Sequence, residues 1–432
     1  MLDIRFIRDN AEAVQTAAKH KGYDVSIATL LQLDDERREL QRQVDELRQQ
    51  RNEIAAKMKG GKPEPSLIEQ GKTIKAKLSG LEAQLSDVEE RYITLLKQVP
   101  NMPHADVPVG LSEDENVEVK VVGDIPTFDF APKNHYEIAE AKGWLDKERA
   151  AKVAGARFAY IMGDLVLLQQ AIIQFVITSL TNPAVIKEIA EKAGLDVNTK
   201  PFIPVLPPLM IRTEPYDQMD RLQPSDDRYK IEGEDLWLQG SAEHVLGSMH
   251  AGEIFDAKQL PLRYLGFATS FRKEAGTYGK DMEGLIRMHQ FDKLEMESFT
   301  EAKDSYNEHL LFIAIQEWLL AQLKLPYHVL MKCTADIGKP NARGVDMEVW
   351  LPGQGKYRET HTADYMTDYQ ARRLMTRVRT EDNGVELIYT NDATAFALGR
   401  CMVAIIENYQ TAEGDVVVPE ALRPYMNGRE MI

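Results

Sequence analysis

Two cysteines in 432 residues, Cys333 and Cys401, are too few for a disulfide framework or a four-cysteine metal site. Small secreted scaffolds and structural zinc are thereby excluded, and both thiols are expected in the core. No stretch approaches the roughly 20 uncharged residues a membrane span needs, and Met1-Leu2-Asp3-Ile4-Arg5 lacks the apolar segment of a signal peptide. The expectation is a cytoplasmic chain with no membrane partner. Positive charge is also scarce, with 52 Lys and Arg against 68 Asp and Glu, a net charge of -16. Such a surface does not suit DNA, and any RNA must be met by a local basic strip whose binding falls steeply with salt. No G-x-G-x-x-G follows a strand-like run, so a dinucleotide fold has no support. What is present is 44% hydrophobic residues, enough for real cores in a chain whose length suggests about three folding units.

Heptad spacing dominates the first hundred residues. Leu33, Leu40, Val44, Leu47, Ile54 and Met58 form one stripe, with Arg37 and Arg51 in the intervening seam slots. A second stripe runs through Leu67, Gly71, Ile74, Leu78, Leu81, Leu85, Val88, Tyr92 and Leu95. Between them, Gly60-Gly61-Lys62-Pro63-Glu64-Pro65 breaks any helix, so the two helices reverse and pair antiparallel. At about 30 residues each and ~1.5 Å per residue, the hairpin reaches about 45 Å, with one seam to bury. Arg37, Arg38, Arg42, Arg48, Arg51, Lys57 and Lys59 on the first helix, and Lys72, Lys75 and Lys77 on the second, form the only basic strip of note. By themselves they fit either a solvated coiled-coil face or a phosphate-binding face. Gly71-Lys72-Thr73 is not a P-loop, because Ser66 stands where the first glycine must be.

Residues 99–132 hold five prolines and the acidic run Ser112-Glu113-Asp114-Glu115-Asn116, which reads as a linker with at most a short strand. The expected organisation is therefore an N-terminal domain over 1–98, a linker over 99–132 and a large domain over 133–432. In the large domain, Asp164–Thr181 and Ala184–Lys192 read as helices. Phe202–Met210, Asp235–Leu238, Arg263–Ser270, Leu285–Met296 and Met347–Leu351 read as strands, which predicts an α+β fold with a mostly antiparallel sheet flanked by helices.

Charges inside apolar runs are costly to bury unless paired or used. Arg272 and Glu274 precede a Gly-rich turn near Tyr278-Gly279, and Arg287, Phe291 and Glu295 follow it, so all five can share one face of a hairpin. Guanidinium groups with an aromatic suit a nucleotide; a structural salt-bridge ladder fits the residues equally. Arg400 opens an apolar helix against its dipole, which suits an anion or a ring. His289, between Met288 and Gln290 on a strand-like run, reads as a structural hydrogen-bonding residue rather than a base.

Taken in order, MLDIRFIRDN, the hairpin, FRKEAG with GLIRMHQFDKLE, LPGQGKYRE with DYQARR, and ALGRCMVAIIENYQ with VVVPEALRPYMNG resemble the seryl-tRNA synthetases over nearly the whole chain. The resemblance implies a coiled-coil tRNA-binding arm, a class II catalytic core with a six- or seven-stranded antiparallel sheet, and a homodimer formed through the segment around Phe202–Met210. It implies serine, ATP and tRNA(Ser) as substrates and Mg²⁺ as the metal. Arg272 and Arg400 would be catalytic, with Arg272 on the α-phosphate. Glu274 would read the adenine amino group, Phe291 and Arg400 would sandwich the adenine, and Arg287 would complete the ATP site with Glu359. Glu359 and Thr362 would hold the metal. Ser241, Glu243, Arg272, Glu295, Asp392 and Thr394 would hold serine, and Arg37, Arg38, Arg42, Arg48, Arg51, Lys72 and Lys75 would meet tRNA.

The chain departs from the family's pattern in three places. Ser241-Ala242-Glu243 stands for Thr-x-Glu, Asp392-Ala393-Thr394 stands for Asn-Gly-Ser, and Thr360-His361-Thr362-Ala363-Asp364-Tyr365 replaces a Ser- and Cys-containing stretch. Asp392 adds a third carboxylate to Glu243 and Glu295, which should favour cations and raise at least one of their pKa values. A paralogue activating another small amino acid, or a silent RNA-binding scaffold, are the alternatives; Arg272, Glu274, Glu359 and Arg400 speak against the second.

Overall fold

A computed structural model describes residues 1–58, 64–274, 284–380 and 382–432. The breaker run at 60–63 and the turn expected at Tyr278-Gly279 lie outside the described residues. The chain divides into two compact units, Met1–Met102 and Pro103–Ile432.

In the first unit, short helices α1 (Ile4–Asp9) and α2 (Ala11–His20) precede the long α3 (Ile27–Lys57) and α4 (Pro65–Leu96), of 31 and 32 residues. Ser26 caps α3 through the Thr29 amide, and Pro65 opens α4 where its missing N–H costs nothing. The heptad stripes meet as expected: Val44, Leu78 and Leu85 are buried, with Leu40, Leu47 and Leu81 packed on them. Arg51 departs from its slot and is exposed. A two-helix seam offers a guanidinium no enclosed partner, so its charge stays in water. Arg37 does face inward, 4.9 Å from the centre of the Tyr92 ring.

In the second unit, β1 (Val117–Val122) is followed by α5 (Asp164–Leu180), α6 (Pro183–Lys192), β2 (Ile203–Val205), α7 (Ala242–Gly247), β3 (Leu262–Phe271) and β4 (Gln290–Thr300). Then come α8 (Ser305–Gln322), β5 (Tyr327–Met331), β6 (Arg343–Leu351), β7 (Lys356–Thr367), β8 (Tyr389–Ala397) and α9 (Leu398–Asn408). One eight-stranded sheet runs β1-β5-β6-β7-β8-β4-β3-β2, antiparallel throughout except for the parallel pair β2–β3. The sheet has more strands than the resemblance implies, and its edge strand β1 comes from the proline-rich stretch read as a linker, where it pairs with β5.

Two corrections concern strand limits. The run Leu285–Met296 becomes strand only at Gln290, because Leu285–His289 carry the chain round the end of the ladder. Strands β7 and β8 had no apolar signature, since one face of each is polar. That polarity has a use. Leu294 and Met296 of β4, Ala363 of β7 and Ala393 of β8 join the core with Leu311, Phe312 and Ile315 of α8 and Ile405 and Ile406 of α9. Their alternate neighbours, by the period of two, are the charged residues of the opposite face. Among the described residues no single helix is long and apolar enough to cross a membrane; α5 and α6 reach that length only as a pair bent by 78°. Cys333 and Cys401 are both buried.

Candidate active site

The polar face of β4, β7 and β8 lines a cleft of about 230 Å³. Period two along β4 places Phe291, Lys293 and Glu295 in it, while β8 contributes Asp392 and Thr394. On β7 the parity has to be reset, because Glu359 and Thr362 are three apart and a regular strand would aim them to opposite faces. The ladder pairs Glu348 with Glu359 and Met347 with His361, leaving Thr360 as a bulge, and both side chains reach the cleft. A second irregularity on β8 falls between Thr394 and Phe396. Gln316 of α8, which is fully buried, donates to the carbonyls of both Thr362 (2.8 Å) and Thr394 (2.9 Å), so one amide pins both distorted strands from behind.

Three arginines carry the cation side of the site. Arg272 follows β3, its Nε donating to the Gly240 carbonyl at 3.0 Å and its guanidinium lying 5.4 Å from the Phe291 ring centre. Arg287 pairs with Glu274 at 2.5 Å. Glu274 sits at φ +53°, the left-handed region, a conformation that a non-glycine residue keeps only where its surroundings impose it. Arg400, in the first turn of α9, meets the Glu359 carboxylate at 3.0 Å. Desolvation in the cleft wall works to raise Glu359, and Arg400 together with Lys332, Arg272 and Lys293 outweighs it and draws its pKa to about 2.

The remaining wall is acidic. Glu243, in the first turn of α7, meets Arg221 Nε at 2.9 Å, and Glu295 meets Lys293 at 2.5 Å. Arg221 Nη2 is also 3.5 Å from Asp392 and 3.9 Å from Asp364. One oxygen each from Glu243, Glu295 and Asp392 lie within 4.8 Å of one another. Burial pushes the Asp392 and Glu295 carboxyls up, with Glu243 adding to both, while at Glu243 itself Arg221, His244 and Lys293 together overcome burial and hold it low. Ser241 does not line the cleft; it is buried behind it, donating to Glu295 at 3.3 Å and accepting from Lys293 at 3.3 Å.

Thus Arg272, Glu274, Arg287, Phe291, Glu359, Thr362 and Arg400 share one cleft with Glu243, Glu295, Asp392 and Thr394. His289 does not line it: its ring bonds the Arg272 carbonyl at 3.0 Å. Sequence reasoning missed Arg221, Lys293 and Gln316. Lys293 was within reach of the period-two rule that gave Phe291 and Glu295; Arg221 and Gln316 sit in runs with no motif. For a divalent cation the donors are all oxygen: Glu359, Thr362 and, opposite Thr362 in the ladder, Asp346, whose buried Oδ1 has no hydrogen-bond partner among the described residues. Such a set fits a hard ion.

In the first unit, the basic strip is largely engaged by neighbouring acids. Arg37 and Arg38 both contact the fully buried Asp34, at 2.9 and 3.0 Å, beside Arg8 at 2.8 Å. Arg42 lies between Glu39 and Glu46, Arg48 meets Glu82 at 2.8 Å, and Lys72 is 3.9 Å from Glu69.

Residues 228–409 match the family described as tRNA synthetase class II core domain (G, H, P, S and T), and residues 1–103 match the seryl-tRNA synthetase N-terminal domain. The chain is 41% identical over 439 residues to the serine–tRNA ligase of Geotalea uraniireducens, covering 100% of both chains. The crystal structure of seryl-tRNA synthetase from Pyrococcus horikoshii complexed with ATP is similar at a TM-score of 0.87 and 35% identity, over 100% of this chain and 99% of that one. The cytoplasmic serine–tRNA ligase of Naegleria fowleri in complex with AMP is similar at 0.84 and 28%, over 100% and 98%.

Proposed function

The chain belongs to the seryl-tRNA synthetase family, and on that premise we propose how its cleft divides the work of a serine–tRNA ligase, which activates serine with ATP to seryl adenylate and transfers it to the 3′ end of tRNA(Ser). ATP lies along the arginine side. Its adenine is held between Phe291 and Arg400 with Glu274 on the amino group, and its phosphates are met by Arg272 and Arg287. Serine lies against Glu243, Glu295, Asp392 and Thr394, with Ser241 fixing Glu295 from behind. The serine carboxylate attacks the α-phosphorus in line, one P–O bond forming as the bond to pyrophosphate breaks. No side chain acts as nucleophile. Arg272 and Arg400 supply fixed positive charge where the pentavalent phosphorus gathers negative charge, and the cleft supplies alignment. Glu359 and Thr362 would hold Mg²⁺, which when bound neutralises phosphate charge.

The tRNA(Ser) is met by the helical arm. Arg42, Arg48, Arg51, Lys72 and Lys75 are exposed and suited to phosphates, whereas Arg37 and Arg38 are committed to Asp34. A homodimer forms through the segment around β2, where Ile203, Leu206, Leu209 and Met210 are exposed and apolar. The protein works in the cytoplasm. The observation that carries the reading is the convergence of Arg272, Arg400, Glu359 and Glu243 on one cleft from four separate stretches of chain. Serine-dependent ATP–pyrophosphate exchange tests it: Arg272→Ala should lower exchange by about 10²-fold or more. Exchange by the native chain that prefers threonine or alanine would refute the substrate.

A further inference from the structure

Glu297, Asp392 and Asp364 face one another across adjacent strands. The ladder pairs Asp392 with Glu297 and Asp364 with Asp392, and all three are buried. Like charges placed directly opposite on neighbouring strands repel, so a row of three acids, with Glu243 of α7 close by, requires a cation. Lys293 is taken by Glu295 and Lys332 by Asp346 and Asp336. The cation that contacts two acids of the row, Asp392 and Asp364, together with Glu243 is Arg221, which lines the cleft with its side chain 16% exposed; Lys332 also acts on Asp364. Arg221 is a long side chain placed where small-substrate recognition occurs, and its charge balances acids that would otherwise select a cationic ligand. Burial, with Glu243 adding, pushes the Asp392 and Glu297 carboxyls upward.

Resting on the assignment of this wall to the amino acid, we propose that Arg221 is a specificity-determining residue: a fixed protein cation filling the place that a cationic substrate side chain would take. The wall then accepts one substrate ammonium and a neutral hydroxyl, and rejects an amino acid carrying a second positive charge. This is selection by a repulsive element as much as by an attractive one.

The test is pyrophosphate exchange with serine and with 2,4-diaminobutyrate, whose side chain ends in an ammonium. The native chain, Arg221→Gln, Arg221→Lys and the double variant Arg221→Gln/Asp392→Asn are compared. In Arg221→Gln the kcat/KM ratio of diamine to serine should rise about 10-fold or more, through the amino-acid KM, with the ATP KM nearly unchanged. Arg221→Lys keeps the charge and should keep rejecting the diamine. The double variant removes one acid with the cation and should lose the gain. An unchanged ratio in Arg221→Gln, or acceptance of the diamine by Arg221→Lys, would overturn the proposal. If Arg221→Gln does not fold, Arg221→Met, which keeps the length of the side chain and removes its charge, is read on the same ratio: the same rise is expected, and an unchanged ratio overturns the proposal. Failure of the underlying assignment shows separately, as native exchange that does not depend on serine.

Discussion

The arm and the cleft both carry many charged pairs, and the difference lies in where the partners come from. In the arm, Arg42 meets Glu39 and Glu46 within one turn of the same helix, and all three side chains are more than half exposed. Such pairs add little beyond solubility. In the cleft, Glu243 and Arg221, or Arg400 and Glu359, come from distant segments and different elements. Arranging them takes the whole sheet, and their charges face a partly desolvated space, where charge acts more strongly than in water. Asp34 is the arm's exception, a carboxylate with no exposed surface held by three arginines. Burial alone would raise its pKa; hydrogen bonds from Arg37 and Arg8 reverse that and hold it low.

Removing one region entirely gives the largest effect. Without residues 30–97, tRNA charging should be lost while serine-dependent exchange stays within about 3-fold of native, because the arm holds none of the groups that stabilise the transition state. Loss of both in a folded protein would show that the regions are not separable in function. A smaller effect separates the two kinds of pair inside the arm. Asp34→Asn should destabilise by about 2 kcal/mol, the cost of breaking a buried pair lowered because the arginines are partly in water. Glu39→Gln should leave thermal unfolding unchanged. Since the pKa of Asp34 is lowered on folding, its contribution is present above the ordinary carboxylate range and is lost as pH falls through the lower folded value. Equal melting shifts for the two variants would erase the distinction.

The same difference explains what could be read in advance. Heptad spacing is local, so α3 and α4 and their seam were legible to within a few residues; Arg51 escaped because spacing does not report whether a slot is enclosed. Phe291 and Glu295 followed from the period of two. Glu359 with Thr362 did not: their shared face depends on the bulge at Thr360, which no spacing rule signals, and only the family resemblance placed them together. Arg221 and Gln316 are legible only once distant strands are in register, because each acts through partners far away in sequence. Charge counts likewise did not show that Arg37 and Arg38 share the carboxylate of Asp34, which is buried by packing rather than by pattern.

The smallest expected effect concerns Glu297, the acid in the row farthest from any cation. Neither of its carboxylate oxygens has a hydrogen-bond partner among the described residues, and it is 1% exposed. Burial is the main cause that lifts its pKa well above the ordinary range, and Glu243 and Glu295 add to it. A carboxyl whose pKa is raised on folding binds a proton in the native state that the unfolded chain has already released. Its stabilising contribution is therefore complete below the ordinary carboxylate pKa and is lost as pH rises through the folded value. Glutamine keeps the shape and cannot ionise. Glu297→Gln should therefore melt near the native temperature at pH 5 and above it, by about 2 °C or more, at pH 8. An exposed arm acid such as Glu82, changed to Gln, should show no such divergence. Parallel melting curves for native and Glu297→Gln proteins from pH 5 to 8 would mean that the row is neutralised by a cation other than Arg221, and the contrast between buried and exposed charge would lose its clearest case.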